Sequence, residues 1–479
     1  MRLSPSMNAA PPTSPRFAIA ILAAGKGTRL KSKRPKVLHS VGGKPLLQHV
    51  IDAALQVVAP QDIFVIVGHQ AQTVEQSMAH NGVRFVLQAE QRGTGHAVQC
   101  LAPSIAGYDD LLVLSGDVPL MTTETIVSVR DFHLAQKAAM TILTARPENP
   151  FGYGRVLRTQ SDAPDVLCIV EQKALTAAQM NAPEINSGIY AFRTVSLLAQ
   201  LSKLTTSNAH GEYYLTDVAA LLHAAGERVV ALTAPDANEV LGANTIAEMM
   251  QLDASMRMRT AQRLMAQGVT IFRPETCVID GAVTVGADTV IEPFVHLLGN
   301  THVGQDCLIR SYSVIQNSTL ADSVLVRQGC VLDQATVGEG ASLGPYAHLR
   351  PESHIGKSAH IGNFVETKST TVGEGSKAGH LTYLGNAEIG ANCNIGAGVI
   401  TCNYDGVLKH PTKIGDGVFV GSDSTLVAPV TLESGAYVAA GSCITDDVPA
   451  DALALGRARQ VNKPGWASAR RAAAKKVNP

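Results

Sequence analysis

The chain of 479 residues has room for two or three domains, each large enough for its own core. Its 39 Lys and Arg against 40 Asp and Glu leave a formal charge of -1, so no basic excess points to nucleic acid, and no stretch is long and apolar enough to span a membrane. Charged residues at 16% and aromatics at 4% are both low, which suits a narrow core of Val, Ile, Leu and Ala.

Residues 1–16 are rich in Pro and Ser without apolar periodicity and are expected to form a disordered extension. Arg16 with the apolar run Phe17 to Ala24 looks like the start of a signal peptide, but the run leads straight into Gly25-Lys26-Gly27 and reads better as a first strand. From Phe17 strand-like and helix-like runs alternate: FAIAILA, the amphipathic stretch Leu46 to Val58, DIFVIVG, VRFVLQ and DLLVLSGD. This alternation predicts a mostly parallel, doubly wound α/β sheet with ligands beyond the carboxyl ends of its strands.

Three loops after those strands carry chemistry. Leu22-Ala23-Ala24-Gly25-Lys26-Gly27-Thr28-Arg29 and Pro35-Lys36 combine small residues, which let backbone N–H groups approach phosphates, with cations that neutralise them; Gly-x-Gly alone describes an ordinary turn equally well. Gln88-Ala89-Glu90-Gln91-Arg92-Gly93-Thr94-Gly95 offers an amide and exposed backbone to a base edge, or is a plain strand-to-helix turn. Asp117 in Ser115-Gly116-Asp117-Val118-Pro119 ends an apolar strand, where a carboxylate can hold a hard cation against phosphates or cap a helix.

In combination these words resemble the sugar-1-phosphate nucleotidyltransferases, as do Gly152-Tyr153-Gly154-Arg155, Glu171, Glu184-Ile185-Asn186-Ser187-Gly188 and Gly242-Ala243-Asn244. The resemblance covers residues 17 to about 245 and implies a Rossmann-like nucleotidyltransferase domain over 17–244. Residues 245–268 contain no proline and end in Gly268, which predicts one long linker helix whose Met residues pack rather than bind.

Beyond it apolar residues recur every sixth position: Ile279, Val285, Ile291, Leu297, Val303, Ile309 and Ile315, again from Val337 to Ile361, and again from Ile414 to Ile444. Helices repeat near 3.6 and plain strands at 2, so a sustained six predicts a coil with one inward residue per flat side and three hexads per turn. Such hexads resemble the left-handed parallel β-helix of acyltransferases; the handedness rests on the resemblance and departs from the right-handed crossover rule. The phase slips around Lys368 to Tyr383 and from Thr401 to Lys413, and both slips are expected to be extruded functional segments. Eight cysteines, from Cys100 to Cys443, include no C-x-x-C pair, so neither zinc nor a disulfide framework is expected and a reducing cytoplasm is the simplest setting.

Leu349-Arg350-Pro351, Gly362-Asn363-Phe364-Val365-Glu366, Ser376 to Tyr383, Asn394 to Gly398 and Asn403-Tyr404-Asp405-Gly406 extend the resemblance to nearly the whole chain. They are similar to the acetyltransferase half of the bifunctional N-acetylglucosamine-1-phosphate uridylyltransferase and glucosamine-1-phosphate acetyltransferase family. By that resemblance 269–479 is the hexapeptide-repeat domain, with a basic C-terminal tail that is solubilising apart from Arg457. His380 is implied as general base on the amine of glucosamine 1-phosphate, a task that suits an imidazole. Arg350 and Lys368 would hold the sugar phosphate, Tyr383 and Asn394 the sugar, and Ala397, Asn403, Tyr404, Ser422, Ala440 and Arg457 acetyl-CoA. In the first half Leu22, Ala23, Ala24, Gly25, Arg29, Lys36, Gln88, Gly93 and Thr94 would hold UTP, Gly154, Glu171, Asn186 and Asn244 N-acetylglucosamine 1-phosphate, and Asp117 with Asn244 Mg²⁺. The resemblance further implies a cytoplasmic homotrimer serving UDP-N-acetylglucosamine, peptidoglycan and lipopolysaccharide synthesis. A nucleotidyltransferase with a merely oligomerising or regulatory solenoid would share the first half, but would not need His380, Arg350 and Lys368 together.

Overall fold

A computed structural model describes residues 15–160, 163–208 and 211–477, with side chains to 474. All but two residues of the expected extension over 1–16 lie outside that range. Arg16 belongs to the folded part: its backbone N–H donates to Asp109 Oδ2 at 2.8 Å, and its guanidinium lies 4.7 Å from the centre of the Tyr108 ring. The chain divides into two compact units, Met1–Met256 and Arg257–Pro479. The division falls inside the expected linker helix, which runs over Ile246–Ala266.

In the first unit a sheet runs in the order Val229–Thr233, Met140–Ala145, Ile185–Arg193, Asp110–Ser115, Phe17–Leu22, Ile63–Val67, Arg84–Leu87. Ile185–Arg193 is antiparallel to both neighbours and the other pairs on this path are parallel. The first strand shows why its sequence is apolar throughout. Phe17, Ile19 and Ile21 pack with Leu47, Val50 and Ile51 of the helix Leu46–Leu55, while Ala18 and Ala20 pack with Val98 and Leu101 of Thr94–Ile105 on the other face. Alternate side chains leave a strand on opposite faces, so a strand covered on both has no polar side. Burying each such aliphatic side chain contributes about 1.5–3 kcal/mol.

The second unit is a stack of coils forming three parallel sheets of eleven, ten and nine short strands among the described residues. The first side starts at Thr270–Ile271, the second at Val278–Ile279 and the third at Thr284–Val285. Every hexad position named above is at most 7% exposed, so the six-residue period is the inward face of the coil. Eighteen residues separate partners in a full coil, as in Val290 and Leu308.

Two expectations about the phase slips need correction. His302 pairs with Thr319, Thr319 with Thr336, His354 with Thr371 and Thr371 with Glu388, each seventeen residues on, so the shortening begins well before Lys368. The missing residue is lost at the corner between the second and third sides, at Asn317, Gln334, Ser369 and Asn386, whose φ values are 47–49°. No loop leaves the coil around Lys368 to Tyr383, because the corner absorbs the change and the ladder continues through Lys368 and Gly385. Only the second slip is extruded: Glu388 pairs with Lys413, twenty-five residues on, and the surplus forms a loop closed by a bridge between Tyr404 and Lys409. The basic tail contains a helix, Trp466–Val477.

Candidate functional site

A cleft of about 510 Å³ opens at the carboxyl ends of the first unit's strands, lined by Leu22 to Thr28, Lys36, Gln88, Gly93, Thr94, Ser115 and Asp117. The three loops singled out in the sequence therefore meet. Gly93 is needed twice over: its φ is 105°, and a Cβ there would sit 2.5 Å from the carbonyl oxygen of Tyr213. Tyr213 also accepts the N–H of Gly95 at 2.8 Å, so its segment pins the loop. Neither Tyr213 nor the lining residue Glu212 has a sequence pattern that would have singled it out.

Gln88 is 3% exposed, and its amide nitrogen donates to Gly93 O at 3.0 Å and lies 3.1 Å from His96 Nδ1. A carbonyl acceptor requires the NH₂ on that side, so the amide orientation is set by Gly93. Gln88 thus braces the loop as well as lining the cleft.

At the cleft's charged end Lys36 Nζ contacts the carboxylate of Asp117 and donates to Asn244 Oδ1 at 2.9 Å, which also accepts from Arg29 Nη2 at 2.7 Å. Gly242 permits this closeness, since a Cβ there would lie 2.9 Å from Asp117 Oδ2. Asn244 is set by the start of the following helix: Glu248 accepts from the backbone of Asn244 at 2.6 Å and Thr245 at 3.1 Å, and its own N–H donates to Thr245 Oγ1. This is a capping box, legible as Thr245-x-x-Glu248 but not anticipated above.

One ammonium touching both Asp117 and Asn244 means that two oxygens converge on a single cation position. No group of three or more His, Cys, Asp or Glu suited to a metal occurs among the described residues. A carboxylate and an amide oxygen at the edge of this cleft nonetheless fit a hard divalent cation that completes its shell with water and substrate phosphates.

Gly154, Glu171 and Asn186 also come together. Asn186 N–H donates to Gly154 O at 2.9 Å, and a Cβ on Gly154 would lie 3.6 Å from Glu171 Oε2. Asn186 spends its amide on Tyr190 OH and accepts from Gly188 N–H, holding the irregularity between Asn186 and Ile189. Glu184 is structural: burial works against its charge, but hydrogen bonds from Arg158 and Thr144 win and hold its carboxyl below the usual range.

On the second unit the candidate residues fall into columns, one per coil. Asn363 pairs with His380, and two positions past the successive partners Ala378, Ile395, Val420, Val438 and Ala454 stand His380, Ala397, Ser422, Ala440 and Gly456. Small residues thus continue the His380 column to its end, where Arg457 Nη1 donates to Ala440 O at 2.6 Å. His380 is exposed, and its Nδ1 contacts Asn363 Oδ1. An acceptor there keeps the ring proton on Nδ1 and leaves the Nε2 lone pair outward. The motif Gly362-Asn363-Phe364-Val365-Glu366 does not by itself single out Asn363.

A second column, Arg350, Lys368 and Gly385, runs along the far edge of the second side. Arg350 Nη1 meets Glu366 Oε1 at 2.7 Å. The ammonium of Lys368 is held below its usual range first by Lys409 and then by Arg350, a concentration of cations that calls for an anion. Lys409 comes from the extruded loop and was missed, because a lysine in a loop leaves no pattern. Tyr383 lies on the second side between the columns. Asn394 does not join it: pairing with Lys377 and Phe419 places it on the first side. Asn403 and Tyr404 likewise stand across the second side from Ala397, Ser422 and Ala440, Asn403 donating to Asn386 Oδ1 at 2.7 Å.

Asp405 anchors the loop. Its carboxyl is held at about 2 by the backbone N–H of Leu408, then His410 and the N–H of Val407. A depressed carboxylate supports the loop fully above the ordinary carboxylate range and loses that support as pH falls toward about 2. If the loop serves the acetyl transfer that the sequence resemblance implies, D405A is expected to lower that activity by about tenfold through lost positioning, without moving its profile between pH 5 and 8. A shifted profile would give Asp405 a titrating role instead.

These two sets of residues define a nucleotidyltransferase joined to a hexapeptide-repeat transferase. Family models agree: a MobA-like NTP transferase domain matches residues 19–179, the bacterial transferase hexapeptide 282–317 and the hexapeptide repeat of succinyl-transferase 411–446. The bifunctional protein GlmU of Koribacter versatilis is 61% identical over 97% of this chain and 99% of its own length. Those of Solibacter usitatus and Pelobacter propionicus are 50% and 46% identical, over 96% and 94% of this chain and 98% and 97% of theirs. The chain belongs to the GlmU family of bifunctional proteins. It is an enzyme of UDP-N-acetylglucosamine synthesis that combines uridylyl transfer with acetyl transfer. No helix among the described residues is long and apolar enough to cross a membrane.

Proposed function

We propose that acetyl transfer comes first and takes place on the solenoid, with uridylyl transfer following in the cleft of the first unit. The observation that carries this is the pair of columns flanking one flat side. The cations Arg350, Lys368 and Lys409 suit the phosphate of glucosamine 1-phosphate at one edge, and His380 with the small-residue column suits an elongated thioester at the other.

His380 Nε2 takes a proton as the sugar amine attacks the acetyl carbonyl; the carbon–sulfur bond breaks, and the departing thiolate of coenzyme A recovers the proton. Asn363 keeps the imidazole in the required tautomer. Tyr383 and Asn394 would contact the sugar, Asn403 and Tyr404 would border the transfer site, and Ala397, Ser422, Ala440 and Arg457 would hold coenzyme A.

In the cleft, N-acetylglucosamine 1-phosphate, held by Gly154, Glu171, Asn186 and Asn244, would attack the α-phosphorus of UTP in line as pyrophosphate leaves. Positioning and charge neutralisation by Arg29 and Lys36 do most of the work. Mg²⁺, held by Asp117 and Asn244, would supply further neutralisation of phosphate charge. Leu22 to Gly25, Gly93 and Thr94 would carry the nucleotide. With its NH₂ committed to Gly93, Gln88 would offer its oxygen to the N–H of uracil. Gln88→Ala is accordingly expected to narrow the preference for UTP over CTP, measured as the ratio of kcat/KM values; an unchanged ratio removes Gln88 from base selection.

The cytoplasm and a homotrimer belong to the same reading. Asn394 and Tyr383 lie on different sides of one prism, and a ligand reaches both when two chains stand side by side. The test is to supply the purified protein with glucosamine 1-phosphate, acetyl-CoA, UTP and Mg²⁺ and follow thiol and pyrophosphate together. Thiol should lead, and full-rate pyrophosphate release without acetyl-CoA would overturn the order.

A further inference from the structure

The side-chain amide of Gln88 is divided between two neighbours and the cleft. Gln88 follows the strand Arg84–Leu87, and the loop it opens re-enters regular structure as the helix Thr94–Ile105. The first turn of that helix brings His96 back onto the loop. Its Nδ1 lies 3.1 Å from the Gln88 amide nitrogen, which also donates to Gly93 O at 3.0 Å. A side-chain NH₂ has two hydrogens to give and accepts nothing, so one goes to the carbonyl oxygen and the other to the imidazole.

That arrangement specifies the state of the ring. Nδ1 accepts only while it carries a lone pair, which puts the ring proton on Nε2. Nε2 lies 3.8 Å from Cys100 Sγ, four residues further along the same helix and so on the same face. A thiol sulfur is a weak acceptor, and it suits an N–H at that place. The imidazole is also set against Tyr213, with ring centres 6.3 Å apart and a tilt of 31°. Tyr213 in turn donates its N–H to Arg92 O and accepts that of Gly95, both at 2.8 Å, so the ring and the loop share one support.

We propose that His96 is a positioning residue for base selection: as the tautomer protonated on Nε2 it joins Gly93 in fixing the Gln88 amide, so that Oε1 accepts from uracil and repels cytosine. The inference rests on Gln88 meeting the base and adds what holds it in one orientation. With both amide hydrogens committed, Oε1 is left for the nucleotide. A uracil ring presents an N–H at N3 and a cytosine ring a lone pair, so the same oxygen bonds one and opposes the other. Among the described residues that line the cleft are Gln88, Gly93 and Thr94 but not His96, which therefore acts through Gln88.

The reverse orientation shows why two partners are needed. Turned over, the amide would set its oxygen against Gly93 O and the Nδ1 lone pair, two repulsive contacts in place of two hydrogen bonds. It would then offer the NH₂ to the cleft, the group that suits cytosine. Were the ring proton on Nδ1, Gly93 would favour one orientation and His96 the other. The tautomer of His96 thus decides whether the amide has a single favoured orientation.

The test compares kcat/KM for UTP and CTP in pyrophosphate release by the full chain. His96→Leu fills the space without an acceptor and should narrow the UTP-to-CTP ratio by about three- to tenfold, the worth of one neutral hydrogen bond, chiefly through the KM for UTP. His96→Asn carries its Oδ1 on Cγ, where Nδ1 stands, and should restore the ratio to within about twofold of wild type. Damage to the loop alone would lower both nucleotides alike. In a Gln88→Ala background His96→Leu should narrow the ratio no further, because the two residues act as one. A thermal melt and acetyl transfer establish folding, and His96→Ala, which suits a helix, takes the place of a leucine variant that fails to fold. If Gln88→Ala leaves the ratio unchanged, the base reading fails and takes this inference with it. If Gln88→Ala narrows the ratio but the His96 variant without an acceptor does not, or asparagine fails to restore it, or the two changes add in full, the role of His96 alone is overturned.

Discussion

Asp117→Ala is expected to lower uridylyl transfer by about a thousandfold or more and to leave acetyl transfer within about twofold of its starting rate. Asp117 reaches the charged end of the cleft, where its carboxylate contacts Lys36, Lys36 also meets Asn244, and Gly242 leaves open the space a side chain would fill. Its loss removes the strongest oxygen for a metal and lets the Lys36 ammonium turn to other partners, so both metal binding and phosphate geometry suffer. Every residue assigned to acetyl transfer lies between Arg350 and Arg457, in the other compact unit. Pyrophosphate and thiol assays on one preparation, with a thermal melt to establish folding, decide the matter. A folded variant in which both activities fell together would contradict two separate sites.

The second large effect concerns complementation. A His380→Ala chain and a Tyr404→Ala chain should each be nearly inactive in acetyl transfer. Co-expressed with different tags and isolated as mixed trimers, they should recover a substantial part of it. Within one chain His380 stands at one edge of the second side, and Tyr404 springs from the loop at the other. If each site borrows Tyr404 from a neighbour, a mixed trimer contains an interface with both residues intact. Mixed trimers without activity would place the whole site in one chain.

Much of this was legible in the residues. A coil with a single inward side chain per side writes its period directly into the sequence, which is why the positions from Ile279 to Ile444 all prove buried. That three loops would gather at the carboxyl ends of the strands was readable because a doubly wound sheet leaves its ligand crevice there, and all three line one cleft. What escaped had no periodic signature. Counting in sixes restarted at Val337 hides the residue lost near Asn317, since the inward phase recovers at once. Lys409 looks like any loop lysine until Lys368 is found beside it. Asn363 acts through a ladder partner seventeen residues away, a distance that only the coil length makes meaningful. The separation of Asn394 from Tyr383 is likewise a matter of which side a residue falls on, which needs the corners located first.

The corners that absorb one residue also govern how such a chain can change its length. A deletion within a strand turns every later inward side chain outward, because neighbouring residues point in opposite directions. The residue already missing at the corners of Asn317, Gln334, Ser369 and Asn386 leaves all later coils in phase. Length variation among descendants of this coil should therefore be confined to its edges, as punctuation rather than spelling. The extruded loop between Thr401 and Thr412 is then the same tolerance carried further: the edge where other coils run one residue short is also where one coil runs several residues long.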